Sequence, residues 1–234
     1  MPTDDVPSPA SELTVVEGFE PRPRREPEAE AAFAALPAAP SIHEARYELL
    51  AVNARGFHPP RFLRLAADTG GNLPGAGGPG GGPGGGPGSG RHGSVVGGPG
   101  GDDLRLAWSV EYRRIAETAP EGPAPFAVYL LGVDPPTEAS EEELEAFNAF
   151  YTDVHLPEVA ERRQARRAVR YELIRARRPP HVLPRYLALY EVDEQGAARR
   201  RHQGPPYARG PAVWQAHSTP WRLWYRFLAG YPNR

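Results

Sequence analysis

Tyr151 and His155 stand four residues apart in the stretch from Ser140 to Pro157, SEEELEAFNAFYTDVHLP, where helix signals and candidate chemistry coincide. An imidazole titrates near neutrality and can take or give a proton, and a phenol one helical turn away can share or orient that proton. The same residues also suit a plain core, because a histidine at a helix end can bond a carbonyl and aromatic stripes at helical spacing pack well. Asp153 lies between them but further round the helix, pointing away from His155. The candidate is therefore a lone acid or base at His155 with Tyr151 beside it.

A helix must hold this pair. Ser140 followed by Glu143 is a capping-box pattern, in which each side chain satisfies a backbone N–H of the other. Leu144, Phe147, Tyr151 and Val154 recur at three- and four-residue steps as one apolar stripe, and Pro157 is expected to stop the helix just beyond His155. Phe126 to Val133 is an apolar run expected to be a central strand. Val169 to Ala176 alternates, with Val169, Tyr171 and Leu173 facing inward, and Tyr186 to Val192 and Trp221 to Phe227 read as two more strands. With a short helix over Asp193 to His202 and a turn over Gly204 to Gly210, residues 126–230 read β-α-β-β-α-β. Phe147, Tyr171, Tyr190, Trp214 and Trp221 would line a pocket suited to a hydrophobic small molecule.

Residues 13–117 hold strand candidates at Leu13 to Phe19, His43 to Ala54, Arg61 to Ala67 and Leu104 to Ile115, with two helical turns in EAEAAFAAL. Residues 1–12 read as a mobile tail and 118–125 as a proline-rich linker. From 70 to 101 the chain is almost entirely Gly and Pro, a composition too poor in apolar groups to offset the entropy of ordering it. A floppy insertion is expected there.

The two halves share blocks. ARYEL at Ala45–Leu49 returns as VRYEL at Val169–Leu173, and PRFL at Pro60–Leu63 returns as PRYL at Pro184–Leu187, both 124 residues on. Trp108, Tyr112 and Arg113 return as Trp221, Tyr225 and Arg226 at an offset of 113. A tandem duplication accounts for this, with the Gly/Pro segment standing where the second copy has its second helix. The 124-residue offset would align His155 with Ala31 and Tyr151 with Pro27, so the first copy lacks the candidate pair.

A helix ending in FYTDVHLPEV, then RYELI, PRYLALYEV and a closing STPW, resembles the EthD-like family of the dimeric α+β barrel superfamily. Phe150, Tyr151, His155, Pro157, Tyr186, Tyr190 and Thr219-Pro220-Trp221 carry the resemblance, while Thr152 occupies the place where the family usually has an acid. The resemblance implies an α+β fold, with two tandem ferredoxin-like units forming an intramolecular barrel of the dimeric type. It also implies a ligand pocket between sheet and helices. Related barrels serve as cofactor-independent monooxygenases, cyclases, isomerases and haem enzymes, so fold alone does not choose a reaction.

Composition narrows the field. The net charge is −2, with 27 basic residues, all arginine, against 29 acids, which gives no global attraction to nucleic acid or an anionic membrane. The arginine-rich run from Arg162 to Arg178 reads as a solvated face balanced by nearby acids. No cysteine is present, which excludes a thiolate metal site and a disulfide and agrees with a cytoplasmic location. No signal peptide or apolar span is evident. The seven histidines are scattered, so no metal site is expected. No cofactor is expected either, although His155 or His217 could serve haem as an axial ligand. A homodimer through free sheet edges is a further expectation. Two functions remain open, a cofactor-independent enzyme using His155 and a non-catalytic ligand-binding or assembly protein on the same barrel.

Overall fold

The structure is a computed structural model that describes residues 13–36, 42–52, 58–68, 103–118, 125–198 and 206–230. The expected tail (1–12), the Gly/Pro-rich segment (70–101) and linker residues 119–124 lie outside the described residues. The strands are β1 (Leu13–Pro21), β2 (Ile42–Val52), β3 (Phe62–Asp68), β4 (Leu104–Glu117), β5 (Ala127–Asp134), β6 (Ala165–Arg178), β7 (Tyr186–Val192) and β8 (Ser218–Gly230). The helices are α1 (Ala29–Ala34), α2 (Glu141–Phe150), α3 (Leu156–Arg163), α4 (Glu194–Ala198) and α5 (Ala212–Gln215), with a π-helical turn over Tyr151–His155 between α2 and α3.

All the strand pairs are antiparallel, and they close a barrel in the order β1-β3-β2-β8-β5-β7-β6-β4. The ring is two quartets, β4-β1-β3-β2 and β8-β5-β7-β6, joined where β2 meets β8 and β4 meets β6. The expected mixed α+β class holds. Because the ring closes, no described strand lies at a sheet edge. No described helix is long and apolar enough to cross a membrane.

Strand alternation fills the barrel. Val128 and Leu130 of β5, Val169 and Tyr171 of β6, and Leu187 and Leu189 of β7 point inward, where the Trp108 and Trp221 rings meet at 5.7 Å. Helices cover the outer faces. β5 and β7 are buried on both sides, which is why FAVYLLGV and YLALYEV read as nearly unbroken apolar runs.

Two devices occur once per quartet. A Cβ on Gly18 would stand 2.5 Å from Pro60 Cγ and 2.6 Å from the Trp108 ring, and one on Gly132 would stand 2.6 Å from Pro184 Cγ and 3.0 Å from Trp221 Cβ. Only glycine admits so close an approach. The Tyr112 hydroxyl donates to Pro184 O at 3.0 Å, and the Tyr225 hydroxyl donates to Pro60 O at 3.1 Å. Each quartet thus ties a tyrosine to the other's proline.

Two local expectations are corrected. Pro157 does not stop the helix, because it falls in the first turn of α3, where a missing N–H is tolerated, and the helix runs on to Arg163. It ends at Gln164, whose φ of 52° is left-handed, and β6 begins at once, four residues before the expected strand. The short α5 falls on a proline- and glycine-flanked stretch that carries no helix signal beyond Pro211.

Candidate functional site

The capping box forms as the sequence requires, with Ser140 accepting from Glu143 N at 3.3 Å and Glu143 accepting from Ser140 N at 2.8 Å. This anchors α2 across the outer face of the second quartet. Regular α-helix would carry the apolar stripe through Val154. Instead the backbone widens at Tyr151, and Leu156 N–H bonds back five residues to Tyr151 O. One added residue in the turn rotates the face. Val154 becomes 40% exposed, whereas His155 turns inward and is 9% exposed. Such π turns recur at functional sites because they aim side chains that a regular helix cannot.

His155 is walled by aromatic rings. Its ring centroid lies 4.5 Å from Trp214, 5.1 Å from Tyr207, 5.4 Å from Tyr151 and 6.3 Å from Phe150. Nδ1 is buried and without a hydrogen-bond partner. Burial, with smaller contributions from His217 and Arg162, pushes the imidazole pKa down to about 4, so it is neutral at physiological pH. His217 stacks on Trp214 at 4.2 Å, and its Nδ1 meets Trp214 O. Burial lowers its pKa as well.

Tyr151 is fully buried, and burial pushes its hydroxyl up to about 12, opposed by the Arg170 guanidinium. Tyr190 is shifted upward for the same first reason, with Tyr151 next. The two hydroxyls are close enough to influence one another, yet neither completes a hydrogen bond of good geometry. Arg170, wholly buried on β6, donates to Asn148 Oδ1 at 2.5 Å, Asn148 O at 3.2 Å and Thr152 Oγ1 at 3.0 Å. It lies over the rings of Tyr151 at 4.4 Å and Tyr186 at 4.7 Å. Thr152, standing where the resembled family has an acid, thus holds the arginine with a hydroxyl. Asp153 is exposed, so it gives His155 no orienting partner.

The predicted pocket is divided by the barrel wall. Phe147, Tyr151, His155, Tyr190 and Trp214 come together outside the sheet. Tyr171 and Trp221 point into the barrel and belong to its interior core, because strand alternation puts them on the opposite face from Tyr190. The arginine run does not form a basic face. Arg162 pairs with Glu158, Arg166 and Arg167 with buried Glu191, and Arg175 and Arg177 with buried Glu111. Arg170 was missed as a site residue. The signal was present, since it alternates with inward Val169 and Tyr171 on a strand whose outer face a capped helix must cover. Tyr207 and the stacked His217 carry no comparable signal. Among the described residues, no three His, Asp or Glu side chains gather as a metal site.

No protein-family model matches the sequence, and no curated protein does. Among solved structures, the chain is similar to a mutant chlorite dismutase from Candidatus Nitrospira defluvii in complex with cyanide. The TM-score is 0.51 at 9% identity, over 93% of this chain and 91% of that one. An anthrone oxidase-like protein gives a TM-score of 0.44 at 11% identity, over 94% and 92% of the two chains. A second protein described as a chlorite dismutase gives 0.46 at 8% identity, over 94% and 95%. At 9% identity, the first of these likenesses shows a shared barrel fold and nothing of the chemistry.

Proposed function

We propose that this chain is a cofactor-independent small-molecule enzyme of the EthD-like type. Its action is proton transfer, leading to cyclisation or oxygenation, on a hydrophobic, aromatic or polyketide-like substrate, with His155 as the base. One observation carries this reading: a neutral imidazole, turned inward by a π turn, keeps a buried nitrogen unpartnered inside an aromatic wall. A free imidazole nitrogen accepts a proton. A pKa of about 4 makes it a weak base in the empty site, but an enolate forming beside it favours the imidazolium and raises that pKa. The reaction is thereby coupled to substrates whose C–H lies next to a carbonyl, and the same imidazolium can return the proton. Tyr151 stands beside the ring to share the proton or orient the substrate.

Two tandem ferredoxin-like units are the natural account of the paired devices. Gly18 and Gly132 are 114 residues apart, as are Phe33 and Phe147, which pack on Phe62 at 4.8 Å and on Tyr186 at 5.6 Å. The buried Arg46 and Arg170 are 124 apart. Aligning His155 with Ala31 by the single larger offset therefore gives way to a ten-residue insertion after the equivalent helix. The π turn and α3 occupy that part of the second unit.

Acetophenone exchanges its methyl protons slowly in neutral D₂O, so catalysed exchange can be followed by proton NMR. The chain is expected to accelerate exchange, and His155→Gln is expected to remove the acceleration while the fold persists. If the wild-type chain binds aromatic ketones without exchange, the non-catalytic ligand-binding reading replaces the enzyme.

A further inference from the structure

The layer that holds His155 contains buried positive charge and no buried carboxylate to meet it. Arg170 spends its terminal nitrogens on the neutral Asn148 and Thr152, and its Nε is buried without a partner. Arg163 lies 4.1 Å over the Tyr129 ring and leaves Nε and Nη1 buried without partners. Tyr129 is paired in register with Tyr190, and the buried hydroxyls of Tyr190 and Tyr151 interact with each other short of good hydrogen-bond geometry and reach no other acceptor. The surrounding acids are engaged elsewhere or turned to solvent. Glu191 holds Arg166 and Arg167, Glu158 holds Arg162 and the Ala208 N–H, and Glu172 holds Arg113 and Arg185. Asp153 and the glutamates of α2 are exposed.

Such an arrangement is costly when empty. An unpaired buried charge destabilises the folded chain, and so does each buried donor left without an acceptor. A single negative oxygen would satisfy hydroxyl donors and balance the cation together. We propose that this layer binds an aromatic oxyanion, a carboxylate, phenolate or enolate, whose oxygen accepts from the Tyr151 and Tyr190 hydroxyls beside Arg170 and whose ring packs against Phe147 and Trp214. This site deepens the role given to His155, and rests on it for the ligand's location. An enolate made by proton loss to His155 would develop its charge on the oxygen these donors hold.

Benzoate and its neutral isostere benzamide, titrated into the full chain, separate this site from nonspecific aromatic binding. Calorimetry gives the affinities, and the part of the tryptophan fluorescence change lost in Trp214→Phe reports on the site. Benzoate is expected to saturate one site and to bind at least tenfold more tightly than benzamide. Tyr190→Phe and Tyr151→Phe each remove one hydroxyl and keep the ring, and each is expected to weaken benzoate about tenfold and benzamide, whose neutral carbonyl is the weaker acceptor, by clearly less. Arg170→Gln is expected to abolish the preference, with circular dichroism checking its fold. Should that variant unfold, the two phenylalanine variants still decide. Equal affinity for the two probes, no saturation by benzoate, or a benzoate preference untouched by both phenylalanine variants overturns the oxyanion site. Ketone exchange is read separately. Lost exchange in His155→Gln with benzoate preference retained supports both claims, whereas a preference without any wild-type exchange removes the base alone.

Discussion

Arg46 and Arg170 occupy corresponding places in the two quartets, each buried on a strand beneath a helix, and they are treated in opposite ways. Arg46 is saturated. It pairs with the buried Glu44 and donates to the carbonyls of Phe33, Ala34 and Leu36 at the end of α1. Arg170 receives only neutral acceptors and keeps Nε unpartnered, beneath a layer where two tyrosine hydroxyls and the His155 Nδ1 are also unpartnered. One fold position is thus closed as structure in the first quartet and left electrostatically open in the second. Folding alone favours satisfying every buried polar group; the first quartet leaves Glu44 Oε2 and Trp108 Nε1 without a hydrogen bond, whereas the layer around His155 gathers a cation, two hydroxyls and an imidazole nitrogen, which marks where a ligand would complete the structure.

The sharpest way to break this contrast is to remove each arginine. Arg46→Met leaves Glu44 with only the longer contact to Arg64 and strips the Phe33, Ala34 and Leu36 carbonyls of their donor, and it is expected to cost about 3–5 kcal/mol in urea unfolding. Arg170→Met removes a cation with no carboxylate partner and is expected to cost no more than about 1–2 kcal/mol. Equal losses would contradict the comparison.

Acid should act on the second layer through His155. The unfolded chain binds a proton near pH 6.5, whereas the folded site resists it down to about 4. The stability of the neutral form is therefore full above pH 6.5, declines as pH falls through that window and levels off below 4, with a total loss on the order of 3 kcal/mol. Urea melts at pH 7 and pH 4 should show that excess loss in the wild type relative to His155→Gln. Identical pH dependence would mean that the imidazole titrates freely.

Two smaller tests probe what the quartets share and what they do not. Gly18→Ala and Gly132→Ala should each cost about 1–3 kcal/mol and by similar amounts, because each Cβ meets a proline ring. A large cost at only one position would break the correspondence. Ser140→Ala should cost about 1 kcal/mol through loss of the α2 cap, whereas α1 has no side-chain cap to lose.

Much of the fold was legible because strand alternation and the capping box are local signals. VRYELI and YLALYEV marked strands that pair as β6 and β7 in the barrel, and Ser140 marked the start of α2. Helical spacing put Tyr151 and Phe147 on the helix of His155, whereas Trp214, which packs against all three, was included as an aromatic residue without a spacing argument. The errors came where one residue changed the phase. Sequence periodicity assumed a regular helix through Val154, and no residue type announces a π turn, so Val154 was placed on the buried stripe although it is exposed. Tyr171 and Trp221 were placed in the pocket because an aromatic residue does not say which sheet face it will occupy until closure of the ring assigns inside and outside. Arg170 was read as part of a solvated run because its cover, a helix distant in sequence, is a tertiary fact.

The central claim is that the second layer holds a neutral imidazole poised against an oxyanion site. Proton NMR titration of His155 Cε1–H, in the free chain and with saturating benzoate, tests it most directly. The account predicts a pKa of about 4 in the free chain, rising when benzoate is bound. A value near 6.5 in the free chain, or one that benzoate leaves unmoved, would contradict it.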